Sequence, residues 1–362
     1  MLQKKNRLVW PDVFKTFGII MVILQHSWEE VINYPVYSDK QRILFGILST
    51  FSRSGVPLFI FITGYFSFKK HYENEDDLIK YWKRKIPKFI VTASIWFIII
   101  WTIQGNYSQH FDELPGLFLI GPYQNKTPFV QFWYVPVAVI LWITLPLISI
   151  AKKQIKRVGK PILCLILVIP FIYDTIITLV NQFHYFYLET ISSSFPTTFV
   201  GYIFLACIGY LLSNAVQNHQ YFTKLELVII SFLFIIMGLY VSVLFTIHHF
   251  QVNPKLMLVN WYTNIWNVLF SIGVVILLLI ISNNTLIVKA HTVFAWLAKR
   301  SMAVFFCHSL ILDQVVKYTL SVIPHMLLWE ILSIWFMTIV FSFIVVWIIG
   351  YIPVVGKILV KD

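Results

Sequence analysis

Charged residues are scarce in this chain. Asp, Glu, Lys and Arg make up only 12% of its 362 residues, whereas hydrophobic residues make up 58%. Soluble globular proteins carry about 25% charged residues, so the composition excludes that class and predicts an integral membrane protein. The net charge of +12 needs a separate explanation, which depends on where the basic residues lie.

Cysteines are also few. Cys164, Cys207 and Cys307 are scattered through hydrophobic segments. Their spacing excludes a metal-binding motif and an extracellular disulfide framework, and no metal site is expected. The first hydrophobic segment is followed by the bulky, polar stretch 28–39 (WEEVINYPVYSD) instead of a small-residue cleavage site. We therefore expect a retained helix rather than a signal peptide.

Hydrophobic segments are abundant, and ten of them reach the length of about 20 residues that an α-helix needs to cross a membrane. They are residues 10–32, 43–67, 87–104, 129–150, 161–180, 197–215, 226–248, 261–282, 301–323 and 328–353. We predict an all-α, polytopic transmembrane helix bundle of about ten spans that forms a single domain over residues 1–362. The longest polar stretch, residues 69–85, is predicted to be a loop that can include a short interfacial helix.

The positions of the basic residues predict the orientation of the bundle. With the N-terminus inside, 21 of the 28 Lys and Arg residues fall in cytoplasmic segments. The outer loops carry only Lys40, Arg42, Lys126 and Lys255. This bias fits the positive-inside rule with both termini cytoplasmic and predicts a multi-pass protein of the cell membrane. Because topology explains the basic excess, nucleic acid is not an expected partner.

Ionisable residues lie inside the first hydrophobic segment. Lys15 and His26 are eleven residues apart, an advance of about 1100° on an α-helix, so they share a face about 16 Å apart along the axis. Asp12 precedes Lys15 by three residues and lies near the same stripe. Ionisable groups inside a membrane span are costly, which makes them functional candidates. An Asp12–Lys15 salt bridge and a His26 hydrogen-bonded to a neighbouring helix are the structural alternatives.

Polar and aromatic residues accompany the histidine on the predicted outer side. Glu29 and Glu30 follow it at i+3 and i+4, close enough to orient or charge the imidazole. Arg53 lies near the outer end of the second span, beside the helix-weakening sequence SGVP, and suits an anion or a substrate hydroxyl. Trp133 and Tyr134 begin the fourth span, where they form either an aromatic belt or a flat surface for sugar rings.

Further candidates lie toward the predicted cytoplasmic side. The edge of the third span reads KRKIPK, and its Lys83, Arg84, Lys85 and Lys88 suit a phosphate-rich cofactor, a topology anchor or anionic lipid. His308 lies about a third of the way into the ninth span, where it is either a hydrogen-bond partner within the bundle or a functional residue.

Five motifs, in this order and spacing, resemble the acyltransferase-3 family of integral membrane acyltransferases. They are D-x-x-K-x10-H at residues 12–26, RSGVPLFIFITGYF at 53–66, KRKIPK at 83–88, FWYVPVAVILWITLPLI at 132–148 and SMAVFFCHSLIL at 301–312. The resemblance covers essentially the whole chain. Lys15 stands where most members have Arg, and Arg84 with Lys88 only approximates the family's paired arginines.

The resemblance implies an O-acyltransferase that takes an acyl group, usually acetyl, from cytoplasmic acyl-CoA and delivers it to a hydroxyl of an extracytoplasmic glycan or cell-surface polymer. His26 is then the base, on one catalytic stripe with Asp12 and Lys15. The lipid bilayer and glycan-biosynthesis proteins are the other expected partners. The implied donor-side residues are Lys15, Arg84, Lys85, Lys88 and His308, and the acceptor-side residues are Arg53, Trp133, Tyr134, Glu29 and Glu30.

An exporter or flippase for a polysaccharide or lipid-linked sugar is the alternative, because ten spans with buried charges also suit transport. Many transporters are built from internal repeats. The later spans contain no second copy of the D-x-x-K-x10-H stripe. The sequence therefore favours the enzyme, although it does not identify the acceptor.

Overall fold

The structure, a computed structural model, describes residues 7–31, 38–70, 72, 74–104, 130–154, 172, 195–217, 222–252, 262, 264–322 and 327–360. Across these residues the chain forms helices and turns and no strand, which confirms the predicted all-α class. The helices are α1 (Val9–Val31), α2 (Asp39–Ser52), α3 (Gly55–Lys69), α4 (Glu75–Gln104), a 3-10 turn (Val130–Trp133), α5 (Tyr134–Gln154), α6 (Phe195–Gln217), α7 (Lys224–Val252), α8 (Ile265–Ser282), α9 (Thr285–Lys289), α10 (His291–Val322), α11 (Leu327–Ile349) and α12 (Val355–Leu359).

Six stretches of the described helices are long and apolar enough to cross a membrane, judged by length and composition. They are Asp39–Lys69, Glu75–Ile103, Gln131–Ala151, Lys224–Ile247, Ile265–Ser282 and Leu327–Ile349. The total of ten spans and the cytoplasmic termini stay predictions. Of the predicted fifth span, 161–180, all but residue 172 lies outside the described residues.

Two helices reach spanning length but are more polar than those six. α1 has 23 residues and α10 has 32, and neither meets the criterion of apolarity. These are the helices that carry His26 and His308.

α1 lies at the centre of the described bundle, where it packs against α2, α3, α8, α10 and α11. Two facing glycines set its approach to α3: a Cβ on Gly55 would lie 2.7 Å from the Gly18 carbonyl oxygen, closer than real atoms allow. Gly18 also faces Phe59, and Gly55 also faces Val22, so the two helices run antiparallel. This register places His26, one turn beyond Val22, at the level of the turn before α3.

The predicted second span is a broken helix. α2 ends at Ser52 and α3 begins at Gly55, with Arg53 and Ser54 in the turn between them. Both the N–H and the hydroxyl of Ser54 donate to the Phe51 carbonyl, and the hydroxyl does not cap α3. The break coincides with the SGVP sequence that was expected to weaken the helix, and it turns the Arg53 side chain into the protein interior, where it is 5% exposed.

The polar stretch 69–85 differs from its prediction, because most of it is helical and belongs to a long element. α4 begins at Glu75 and continues for 30 residues to Gln104, through Pro87. The Asn74 Oδ1 accepts a hydrogen bond from the N–H of Asp77 at 3.0 Å, and the first turn is acidic. Both features stabilise a helix N-terminus. The prediction of a loop was therefore wrong for residues 75–85, whereas the helix expected within this stretch is present, as the first part of α4 and not as a short separate element.

Candidate active site

His26 is paired with a carboxylate on its own helix. Its Nδ1 lies 3.1 Å from Oε2 of Glu29, one turn further along α1, and both side chains are 20% exposed. A carboxylate accepts from an Nδ1–H, which fixes the tautomer in which Nε2 carries a lone pair. The i+3 contact expected from the sequence is confirmed, and it leaves a ring nitrogen that can accept a proton.

The second oxygen of Glu29 has two other donors. Gln25 Nε2 lies 3.0 Å from Glu29 Oε1, and Arg53 Nη2 lies 3.5 Å from the same atom. The break between α2 and α3 is what brings the arginine to this depth. The structure thus joins His26, Glu29 and Arg53, which the sequence placed on two separate spans, and adds Gln25 to them.

Trp133 joins this group through a tyrosine. Its ring stacks on that of Tyr262 with centroids 5.4 Å apart and an interplanar angle of 19°, and the Arg53 Cζ lies 5.6 Å from the Tyr262 ring centroid. Tyr134 packs instead against Phe305, with ring centroids 5.6 Å apart. Trp133 and Tyr134 are 8% and 5% exposed, so they line the inside of the bundle instead of a surface belt.

His308 lies beside His26. The two ring centroids are 5.2 Å apart, and His308 is fully buried. Its Nδ1 lies 2.7 Å from the Phe305 carbonyl oxygen, so Nδ1–H donates there, and Nε2 has no hydrogen-bond partner among the described residues. The sequence placed His308 nearer the cytoplasmic side because it started the span at Ser301. α10 begins at His291, which moves His308 to mid-helix.

Lys15 is half-buried on the same face of α1 as His26 and has no ion pair or hydrogen bond within the described part of the chain. Gly18 and Val22 lie between them on that face, and both contact the start of α3. The start of α3 therefore packs against the stretch of α1 that separates Lys15 from His26.

Asp12 is occupied elsewhere. Arg7 donates to both of its oxygens at 2.7 and 2.6 Å, and Nε2 of His291 lies 2.9 Å from Oδ2. Asp12 is fourteen residues from His26, about 21 Å along the helix axis. The structure does not bring it to His26 or into a salt bridge with Lys15, and it ties the start of α1 to the start of α10.

Glu30 is exposed and makes no ion pair or hydrogen bond within the described part of the chain, and its charge interacts with those of Asp313, His26 and Glu29. It does not share the ion pairs of Glu29, so the structure separates the two adjacent carboxylates that the sequence grouped together.

A second polar site lies where α3 leads into α4. A cavity of about 300 Å³ is lined by Lys70, Asp77, Lys80, Tyr81 and Arg84. Of the predicted phosphate-binding cations, only Arg84 lines it. Lys70 and Lys80 were not singled out from the sequence, although the i, i+4 spacing of Lys80 and Arg84 on one helix face was a usable signal.

The other two predicted cations lie outside that lining. Lys85 Nζ lies 4.3 Å from the Trp142 ring centroid and 5.6 Å from that of Tyr81, and Lys88 is exposed. Cation–π contacts of this kind hold an ammonium against the protein. Lys85 therefore adds positive charge next to the cavity without facing into it.

The cavity carries more positive than negative charge. Burial lowers the pKa of the Lys70 ammonium and the nearby Arg84 lowers it further, while Asp77 acts in the opposite direction. Lys70 Nζ lies 4.2 Å from the Tyr81 ring centroid and 5.0 Å from that of Tyr72. Three cations against one carboxylate suit an anionic ligand, because like charges this close destabilise one another.

No group of three or more His, Cys, Asp or Glu side chains that could hold a metal ion occurs among the described residues. The site described above brings together an imidazole, its carboxylate partner and a buried guanidinium.

Comparison with known protein families decides the class of this membrane protein. The profile of a family described as an acyltransferase domain matches residues 8–351. The chain belongs to the acyltransferase-3 family. No curated protein and no solved structure matches it. The matched range contains every residue of the two sites of this acyltransferase, from Gln25 to His308.

Two members of the His26 network were missed from the sequence of this acyltransferase. Gln25 precedes Glu29 by four residues, and the i, i+4 spacing of a Gln and a carboxylate was a signal that could have found it. Tyr262 lies 237 positions after Gln25, and its OH donates to Gln25 Oε1 at 2.8 Å. No local sequence pattern reports a contact between residues so far apart.

Proposed function

We propose that this acyltransferase moves an acetyl group from cytoplasmic acyl-CoA to a hydroxyl of an extracytoplasmic glycan or cell-surface polymer. In this proposal His26 is the base. The observation that carries the proposal is the contact of Glu29 with His26 Nδ1, which leaves Nε2 as the proton acceptor. The family supplies the class of reaction. The donor, the acceptor and the role of His26 belong to the proposal.

The reaction needs one proton acceptor. Nε2 of His26 takes the proton of the acceptor hydroxyl while its oxygen attacks the thioester carbonyl carbon and forms a C–O bond. The resulting tetrahedral intermediate collapses, the C–S bond breaks, and the thiolate of CoA takes the proton back from the imidazolium. Glu29 stabilises that imidazolium, and Arg53 offers a buried positive charge for the negative oxygen of the intermediate.

The cations that line the α3–α4 cavity suit the phosphates of the donor. Lys70, Lys80 and Arg84 supply charge-assisted donors there, and the half-buried Lys15 has no competing ion pair within the described residues. The pantetheine arm then has to cover the step of about 16 Å along α1 between Lys15 and His26, outside the interface where Gly18 and Gly55 bring α1 and α3 into contact. Trp133, which stacks on the Tyr262 ring that Arg53 contacts, supplies an aromatic surface for the acceptor.

The test is transfer by the purified protein in liposomes supplied with labelled acetyl-CoA on one side and a panel of glycans on the other. We expect labelled ester on a glycan with the wild type and none with His26→Ala. Size-exclusion profiles of both proteins check that the variant inserts and folds. Glycan flux without covalent change would favour the exporter, and full transfer by His26→Ala would remove His26 from the mechanism.

A further inference from the structure

We infer that Tyr262 and Gln25 are positioning residues, which hold Glu29 so that one of its oxygens stays on His26. The inference rests on the proposed acyl transfer and adds two residues to it. It starts from a continuous chain of contacts: Tyr262 OH to Gln25 Oε1 at 2.8 Å, Gln25 Nε2 to Glu29 Oε1 at 3.0 Å, and Glu29 Oε2 to His26 Nδ1 at 3.1 Å.

The chemistry of each group fixes the direction of this chain. An ionised carboxylate only accepts, so Gln25 must present its NH2 to Glu29 and its carbonyl oxygen to Tyr262. The tyrosine hydroxyl then donates, and the Nδ1–H of His26 donates from the other end. Gln25 and Tyr262 are 5% and 3% exposed, so water does not readily replace either partner. Each link therefore constrains the next.

Arg53 makes this constraint necessary. Its Nη2 lies 3.5 Å from Glu29 Oε1, longer than the 3.0 Å contact that Gln25 makes with the same atom. A guanidinium frequently pairs with both oxygens of a carboxylate. Gln25 occupies one lone pair of that oxygen, so the carboxylate stays shared between Arg53 and His26. Without it, Arg53 can draw Glu29 away from His26.

The ring of Tyr262 is held independently of its hydroxyl. It stacks on Trp133 at 5.4 Å and lies under Arg53 at 5.6 Å. Replacing Tyr262 with Phe keeps the ring that makes these contacts and removes only the donor to Gln25. The hydroxyl and the ring can therefore be tested apart.

The experiment measures kcat and KM for Gln25→Leu and Tyr262→Phe, each in the wild-type and in the Glu29→Gln background. In the wild-type background we expect kcat to fall about 30-fold for Gln25→Leu and about 5-fold for Tyr262→Phe, less than the about 10²–10⁴-fold that general-base catalysis contributes in full, with both KM values unchanged. In the Glu29→Gln background both losses should disappear, because the two residues act through Glu29.

A structural role would give the opposite pattern, with equal losses in both backgrounds, and that result would overturn the inference. Ser27→Ala is the matched control, since Ser27 is a buried neighbour on α1 whose hydroxyl donates to the Ile23 carbonyl. If Gln25→Leu does not fold, the effect of Tyr262→Phe in the two backgrounds still distinguishes a positioning role from a structural one. A wild type without transfer activity contradicts the proposed function, whereas an active wild type with unaffected variants contradicts only this inference.

Discussion

Two clusters of ionisable side chains lie on α1 about 21 Å apart, and they differ in how completely their atoms are paired. At one end, both oxygens of Asp12 are occupied by Arg7 and His291. At the other end, Glu29 is equally occupied, yet the Nε2 atoms of His26 and His308 have no hydrogen-bond partner among the described residues.

The difference separates two uses of charge inside a membrane protein. A buried carboxylate with both oxygens hydrogen-bonded to neighbouring cations holds helices together, and any chemistry there would first have to break those bonds. An imidazole with a fixed tautomer and an unused nitrogen is ready to accept a proton. Substitutions at the two ends of α1 should therefore have different effects. Those at the His26 end should lower the rate of catalysis, and those at the Asp12 end should lower the stability of the protein.

The largest expected effect is at His26. Replacing His26 with Asn should lower kcat by about 10³-fold, because general-base catalysis contributes about 10²–10⁴-fold. Thermal unfolding in detergent should be nearly unchanged, since the side chain is 20% exposed and its carboxylate partner keeps Gln25 and Arg53. Initial rates of acetyl transfer and a melting curve measure the two effects. A large loss of stability with normal kcat would erase the contrast between the ends.

A smaller loss is expected at the carboxylate. Glu29→Gln keeps the shape and the contact with Gln25, but it removes the charge that stabilises the imidazolium and turns an NH2 donor toward His26 Nδ1. We expect kcat to fall about 100-fold with KM for the donor unchanged. Steady-state kinetics over a range of acyl-CoA concentrations would show this split. A change in donor KM alone would instead place Glu29 at the donor.

The next effect concerns donor binding at the α3–α4 cavity. Arg84→Ala and Lys80→Ala should each raise the KM for acyl-CoA about tenfold, equal to about 1.4 kcal/mol for one charge-assisted contact, with kcat unchanged. Lys83→Ala removes a charge from the same helix at an exposed position that does not line the cavity, so it is the matched control. Equal effects of all three would mean that only the overall charge of α4 matters.

Lys70 adds a dependence on pH. Burial, and then Arg84, lower the pKa of its ammonium, and the protonated form is the one that binds an anion. The contribution of Lys70 to donor affinity is therefore complete below that pKa and is lost as the pH rises through it, at a lower pH than an ordinary lysine would give. The slope of acyl-CoA KM against pH measures it. Lys70→Arg, which stays charged, should flatten the slope.

How far the sequence predicted these sites depends on the distance between the residues involved. The contact of Glu29 with His26 follows from spacing on one helix, and the break at Arg53 follows from SGVP, so both could be read locally. The depth of His308 could not, because α10 begins ten residues before the apolar stretch does. Contacts from Tyr262 to Gln25 and from His291 to Asp12 join residues more than 200 positions apart, and only tertiary packing determines them.

The smallest effect on activity is expected at the Asp12 end, which tests the comparison from its other side. Asp12→Asn keeps the size of the side chain but leaves Arg7 and His291 without a charged acceptor, which should lower the free energy of unfolding by about 1–3 kcal/mol. His26 and its partners are unaffected, so kcat should stay within about threefold of the wild type, well short of the loss expected when a catalytic proton acceptor is removed. Melting curves and transfer rates on the same preparations check both parts. If Asp12→Asn lowered kcat as strongly as His26→Asn does, in a protein of normal stability, Asp12 would instead belong to the catalytic stripe. That result would also show that the pairing of both carboxylate oxygens does not mark a structural residue here.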